Sequence, residues 1–344
     1  MNQRFKLLAA LLGVVVLGVA AWQLFFTPAG PPPVDAASVP VLVPDDMPAV
    51  TRQPVTITGG EFDLEGELIL PEGGRSQKPA VVFSPGSSTV HFHEYSPGFI
   101  ASFVEGAFLP ADVAVLLVNK RGVGESGGRW QQNDIEGRAE DVYASVQFLQ
   151  AHPAIDASQV GVIGHSQGGW VAGLAAAEHP DVAFFITLAG PTTSVEEQIE
   201  QSSRNVFRCE GFEGDDLDRR VGRQLREVRF AESAGRVLPV GQFAFMNGIL
   251  RYDPRDALTA VEAPGLLVFG GADPLVPPAE NLARFDELFP AGPPENLTVA
   301  VMPAADHGFH VVREDCPGDT TLLPFSAELV ETLRGWLAEQ GIAQ

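Results

Sequence analysis

Residues 160–169 read VGVIGHSQGG. A serine flanked by glycines, where an apolar strand-length run meets a helical pattern, has the type and setting of a nucleophile for acyl chemistry. The reason is steric. A sharp strand-to-helix turn at Ser166 brings the backbone against its neighbours at Gly164 and Gly168, where glycine avoids Cβ clashes. The hydroxyl then stands above the sheet at a helix N-terminus, and the Gln167 amide can point at a developing oxyanion. A serine at neutral pH needs a base, and the base needs an orienting acid. The run Gly265–Gly270 ends in Gly271-Ala272-Asp273-Pro274, and the run Leu297–Met302 leads to Ala305-Asp306-His307-Gly308. Asp273 and His307 each follow a strand's carboxyl end, where ligands collect in open α/β sheets. Ser166, Asp273 and His307 are therefore expected to converge from three adjacent strand ends. Asp306 is poorly aimed at the ring of its neighbour His307. His310 is a second candidate base.

The elements that must hold these residues follow from periodicity. Val55–Thr58 and Glu61–Leu70 around Gly59-Gly60 read as a β-hairpin. Pro79–Ser84, Val113–Asn119, Val160–Gly164, Ala183–Ala189, Gly265–Gly270 and Leu297–Met302 are short apolar runs, suited to a parallel sheet covered on both faces. Helical patterns lie between them at Glu136–Ala151, Gln167–Glu178, Pro278–Phe289 and Pro324–Gln340. The alternation predicts an α/β class with a mostly parallel, doubly wound sheet. Residues 192–258 contain no strand run and are too long for a plain loop. They are expected to form a helical cap inserted over the carboxyl edge, with the charged run Glu210–Arg229 as its solvated face.

With these motifs in order, the chain resembles the α/β-hydrolase superfamily, in its serine carboxylesterase and acylaminoacyl-peptidase-like branch. GHSQGG (164–169), GGADPLVP (from the 271 region) and ADHGF (305–309) match its nucleophile, acid and base motifs, and NKRGVGESGG (119–128) its loop after the fourth strand. The resemblance spans residues 55–344. It implies Ser166 as nucleophile, His307 as base and Asp273 as the acid that orients it. The second oxyanion amide comes from the loop after the third strand, here Ser84-Pro85-Gly86-Ser87-Ser88, and is assigned to Ser87 beside Gln167. The family commonly has His-Gly where this chain has Pro85-Gly86; only an N–H is needed.

Other patterns compete for attention. Gly122-Val123-Gly124-Glu125-Ser126-Gly127 spells a dinucleotide fingerprint, but Arg129-Trp130-Gln131-Gln132-Asn133 follows instead of a helix opening, so a surface loop is expected. His91, His93 and Glu94 lack the further ligands a metal site needs and are expected at the pocket mouth. His165 is expected to pack against a neighbouring strand. No metal or organic cofactor is implied.

At the N-terminus, Arg4 and Lys6 precede an apolar run from Leu7 to Phe26, long enough to cross a hydrocarbon core. Residues 1–26 are expected to be a signal peptide or membrane anchor with the remainder exported, facing the periplasm or cell exterior, or secreted if the segment is cleaved. Residues 27–54 carry repeated prolines and read as an extended spacer. The hydrolase core would then occupy 55–191 and 259–344. Across 344 residues the net charge is −22, which argues against nucleic-acid or anionic-membrane partners. Two cysteines, Cys209 and Cys316, exclude a four-cysteine zinc site; an oxidising compartment would permit their pairing, and two buried thiols are the alternative. The expected activity is that of an exported serine hydrolase acting on a small-molecule ester through an acyl-enzyme. A serine peptidase or amidase is the second reading, and a non-catalytic binding module the third. Esters are favoured because no propeller domain is visible to restrict entry to peptides. Phe207, Phe230, Phe243 and Phe245 suggest an apolar acyl pocket.

Overall fold

Among the described residues eight strands form one sheet. They are β1 (Val50–Ile57), β2 (Leu64–Pro71), β3 (Lys78–Ser84), β4 (Ala114–Val118), β5 (Ile155–His165), β6 (Phe185–Leu188), β7 (Gly265–Gly270) and β8 (Leu297–Met302). The order is β1-β2-β4-β3-β5-β6-β7-β8. β2 runs antiparallel to β1 and β4, and every other pairing is parallel. The computed structural model describes residues 40–58, 61–96, 98–313, 316, 320 and 322–343. The expected anchor, residues 1–26, and Gly59-Gly60 lie outside the described residues. Among the described residues no helix is long and apolar enough to cross a membrane.

The expected strands form with shifted ends. β1 starts at Val50, so the last residues of the expected spacer are strand instead. Pro54 is tolerated there because β1 is the sheet edge, where a missing donor breaks no interior ladder. The spacer's neighbouring residues also bind the body: the Leu42 amide donates to Ser102 Oγ at 3.0 Å, and Arg334 pairs with Asp46.

Strand alternation divides the core in two. Ala80 and Val82 of β3 join the layer beneath the helices Ile135–Gln150 and Gln167–Glu178. Val81 and Phe83 face the opposite layer, with Phe103 and the C-terminal helix Ala327–Glu339. All seven residues of β3 are buried, the reason its run shows no polar alternation. Burial of each large side chain stabilises the fold by about 2 kcal/mol.

Between β6 and β7 the chain forms four helices: Val195–Cys209, Gly214–Gly235, Gly241–Ile249 and Arg255–Ala260. The first begins with a capping box, Ser194 and Glu197 satisfying each other's backbone amides. Leu217, Val221 and Leu225 make a small core with Ile199, Phe207 and Phe212. Cys209, ending the first helix, is bonded to Cys316 across 107 residues, in the segment that follows His307. The pairing alternative is the one the structure takes. No free thiol is expected on titration of the denatured, unreduced chain. A Cys209→Ser, Cys316→Ser variant should be less stable by about 2–4 kcal/mol, read as a lower guanidinium midpoint.

Candidate active site

Register brings two loops together. Ser84 of β3 pairs with Gly164 of β5, so Pro85–Ser87 and His165–Gln167 leave the sheet side by side. Ser166 has φ 55° and ψ −123°, a strained turn between β5 and the helix Gln167–Glu178. Glycine permits that turn: a Cβ at Gly164 would strike the Gly168 carbonyl, and one at Gly168 the Ser84 carbonyl. The Ser166 amide donates to Leu188 O at 2.8 Å, tying the turn to β6. Its side chain caps nothing, which leaves the hydroxyl available. Gly86 lies so near that a Cβ there would stand 3.1 Å from Ser166 Cβ.

Asp273 Oδ1 accepts the amides of Leu275 and Val276 at 2.7 and 2.9 Å, so the carboxylate folds its own loop. Oδ2 lies 2.7 Å from His307 Nδ1, and the Asp273 side chain is fully buried. A carboxylate can only accept there, so Nδ1 carries the proton and Nε2 keeps its lone pair. Burial pulls the His307 pKa down, but the charge and hydrogen bond of Asp273, with the charge of Asp306, outweigh it and hold the pKa above its ordinary value.

A cavity of about 450 Å³ is bordered by Ser166, His307, Gln167 and Ser87, with Trp170, Phe245 and Ile249 among its apolar walls. The predicted residues therefore share one space, with Asp273 behind the imidazole. The expectation of three adjacent strand ends fails: β6 separates β5 from β7. The loop after β8 spans the gap. Its Ala305 and Asp306 carbonyls press on Gly270 at the end of β7, and the His307 carbonyl reaches His165 on β5.

Tyr95, Arg138 and Lys120 carried no assignment in the sequence yet reinforce this site, and His165, expected to pack against a neighbouring strand, is hydrogen-bonded between two loops. The Gly86 amide donates to Tyr95 Oη at 2.9 Å, and Tyr95 Oη meets His165 Nδ1 at 2.6 Å. His165 Nε2 donates to the His307 carbonyl at 2.9 Å. Carbonyls only accept, so the direction of the whole relay is fixed. Burial pushes the Tyr95 hydroxyl up to about 12 and, with the charge of His307, His165 down to about 3, keeping Tyr95 protonated and His165 neutral at neutral pH. Arg138 donates to Gln167 Oε1 and to the Pro85 carbonyl, both at 2.5 Å, bridging the two loops. Lys120 donates to the Gly86 carbonyl at 2.9 Å; burial and then the Arg138 charge lower its pKa to about 6. A signal for Arg138 existed: it occupies the buried stripe Ile135, Ala139, Val142 and Val146 of its helix.

The remaining expectations divide. Asp306 Oδ1 accepts the amides of Gly308 and His310 and faces His310 Nδ1 at 3.3 Å, so this pair braces the loop. His310 stacks on Phe325 and does not border the cavity. His91 and His93 are not at the pocket mouth; they face Glu65 and Glu67 of β2 at 3.4 and 3.8 Å. The turn Phe92–Glu94 buries Phe92 and delivers Tyr95 to the cavity instead. The 122–127 loop is a turn with positive φ at Gly122 and Gly124, followed by the short Trp130–Gln132 turn. Of the four phenylalanines, only Phe245 borders the cavity. Phe207 packs within the inserted helices, Phe243 against the main core, and Phe230 is exposed.

A family model described as serine aminopeptidase, S33, matches residues 90–314. An uncharacterized 31.7 kDa protein of Escherichia coli is 23% identical over 237 residues, 64% of this chain and 80% of that protein. An esterase of Pyrococcus furiosus has a similar fold, with TM-score 0.57 at 19% identity over 88% of this chain and 98% of its own. The acylaminoacyl peptidase of Pyrococcus horikoshii does too, with TM-score 0.54 at 16% identity over 85% of this chain and 42% of its own. A match across residues 90–314, together with this sheet and this elbow, makes the chain a hydrolase of the α/β-hydrolase fold that belongs to the serine aminopeptidase S33 family.

Proposed function

We propose that the protein cleaves carboxylic esters through an acyl-enzyme. Ser166 attacks the acyl carbonyl while His307 Nε2 takes its proton. Asp273 holds the imidazole tautomer and stabilises the imidazolium. The Gln167 and Ser87 amides receive the oxyanion, each contributing about 3 kcal/mol to the transition state. His307 then protonates the leaving alcohol, and water repeats the cycle on the acyl-enzyme. The observation that carries this reading is one cavity bordered by a strained, uncapped serine and an imidazole whose other nitrogen is held by a buried carboxylate.

The ester reading, rather than aminopeptidase activity, is supported by what borders that cavity. No aspartate or glutamate is among its described lining residues. A peptide with a free α-ammonium would bury its charge there without a carboxylate partner, a costly arrangement. A neutral acyl group meets Trp170, Phe245, Met246 and Ile249 at no such cost. We further propose that residues 192–258 serve as the cap, and that the chain is exported and held by its N-terminal apolar segment. The Cys209–Cys316 bond supports an oxidising compartment. The test is turnover of p-nitrophenyl acyl esters against aminoacyl p-nitroanilides by the purified chain. Ester hydrolysis is expected with a kcat/KM at least ~100-fold above that for the anilides, the scale set by an unpaired buried charge. Anilide turnover without ester turnover would overturn the assignment.

A further inference from the structure

The helix Gly214–Gly235 buries Leu217, Val221, Leu225 and Ala231. At 100° per residue the opposite face presents Arg219, Arg223, Arg226 and Phe230 within about one-sixth of the circumference. All four are exposed, and Phe230 keeps 67% of its surface in solvent. The chain then turns through an exposed apolar tip in which Val237 is 88% and Val240 52% exposed, next to the half-exposed Leu238. Residues 219–240 hold six arginines against two glutamates, in a chain whose net charge is −22. Several of these arginines have partners: Arg219 with Asp216, Arg229 with Glu196 and Arg236 with Glu232. Among the described residues Arg223 and Arg226 have no ion pair.

Three aliphatic residues exposed together at one tip, with Phe230 exposed on the adjoining helix, mark a surface that meets something other than water. A basic stripe leading into such a tip matches the boundary between anionic headgroups and acyl chains, with charge held by the arginines and apolar area inserted beside them. The overall acidity that argued against anionic membranes is an average, and this face departs from it. We propose that the exposed face of this helix and the 236–240 tip dock on an anionic lipid bilayer. The tip leads directly into the helix Gly241–Ile249, whose Phe245, Met246 and Ile249 border the cavity, so docking would bring the bilayer interface next to the acyl-binding walls. The proposal does not depend on which acyl bond is cleaved.

The test uses the full chain reconstituted in vesicles. Both native cysteines are paired, so Val237→Cys can carry a single environment-sensitive NBD label. Ser158→Cys, exposed near the amino end of β5, reports whatever the N-terminal segment does by itself. In phosphatidylcholine vesicles containing phosphatidylglycerol, the 237 label should blue-shift and be quenched by brominated lipid, and the 158 label should not. Phosphatidylcholine alone should give little quenching at 237. Adding Arg223→Glu and Arg226→Glu, on exposed positions that cost no core packing, should weaken docking by at least ~25-fold, about five-fold for each positive charge removed. A 237 label that stays water-like in the anionic vesicles overturns the proposal. So does equal quenching with and without phosphatidylglycerol. Shielding in lipid-free solution that grows with protein concentration, the mark of a second copy, overturns it as well.

Discussion

Ser166→Ala is expected to lower kcat on a p-nitrophenyl ester by on the order of 10⁴–10⁶-fold while leaving the fold intact. The fold should survive because alanine meets the same positive φ that serine already tolerates, and the serine hydroxyl caps no helix amide. The chemistry should not, because alanine has no oxygen to acylate. A residual rate of about 10³-fold over water should persist if the Gln167 and Ser87 amides still polarise the carbonyl. Burst kinetics, circular dichroism and the urea midpoint measured on both proteins separate loss of the nucleophile from loss of structure. Turnover equal to that of the parent chain would remove Ser166 from the mechanism.

Asp273→Asn should cost about 10⁴-fold in kcat and also move the pH profile. Asparagine can keep its Oδ1 on the Leu275 and Val276 amides, so the loop is retained. Its amide hydrogens would then face His307 Nδ1, and the ring would be driven to carry its proton on Nε2. That tautomer cannot take a proton from serine. The sign of the pH effect follows from the same contact. In the parent chain burial depresses the His307 pKa, but Asp273 raises it above its ordinary 6.5. The base must be neutral to act, so kcat/KM should fall as the pH drops through that raised pKa. Without the Asp273 charge, burial is opposed only by the charge of Asp306, and the acidic limb should move to lower pH. A limb that stays in place, with a rate near that of the parent, would show that another group orients His307.

Much of this was legible in the sequence for local reasons. Gly164, Gly168 and Ser166 announce the elbow because a sharp turn excludes Cβ atoms wherever it occurs. Asp273 and His307 announce themselves because each follows an apolar run of strand length, and a parallel sheet sends all such exits to one edge. The four phenylalanines were less informative. Their spacing does not distinguish a cavity wall from helix-to-helix packing or from exposure, and Phe245, Phe207 and Phe230 met those three fates. His91 and His93 misled because adjacency to the loop after β3 says nothing of direction. The short turn there points Tyr95, not the histidines, inward.

The α/β class, the elbow and three residues of complementary chemistry are written in the residue order, because steric limits and hydrophobic periodicity act over a few residues. The folded chain adds that β6 stands between the strand before Ser166 and the strand before Asp273, that the loop after β8 folds back over β7 to carry His307 across, and that Cys209 meets Cys316. It alone disclosed the relay through Gly86, Tyr95, His165 and His307, and the Arg138 bridge between the loops after β3 and β5. Those contacts join residues as many as 142 positions apart, a distance at which the chain imposes no local constraint and only strand order and close packing choose neighbours.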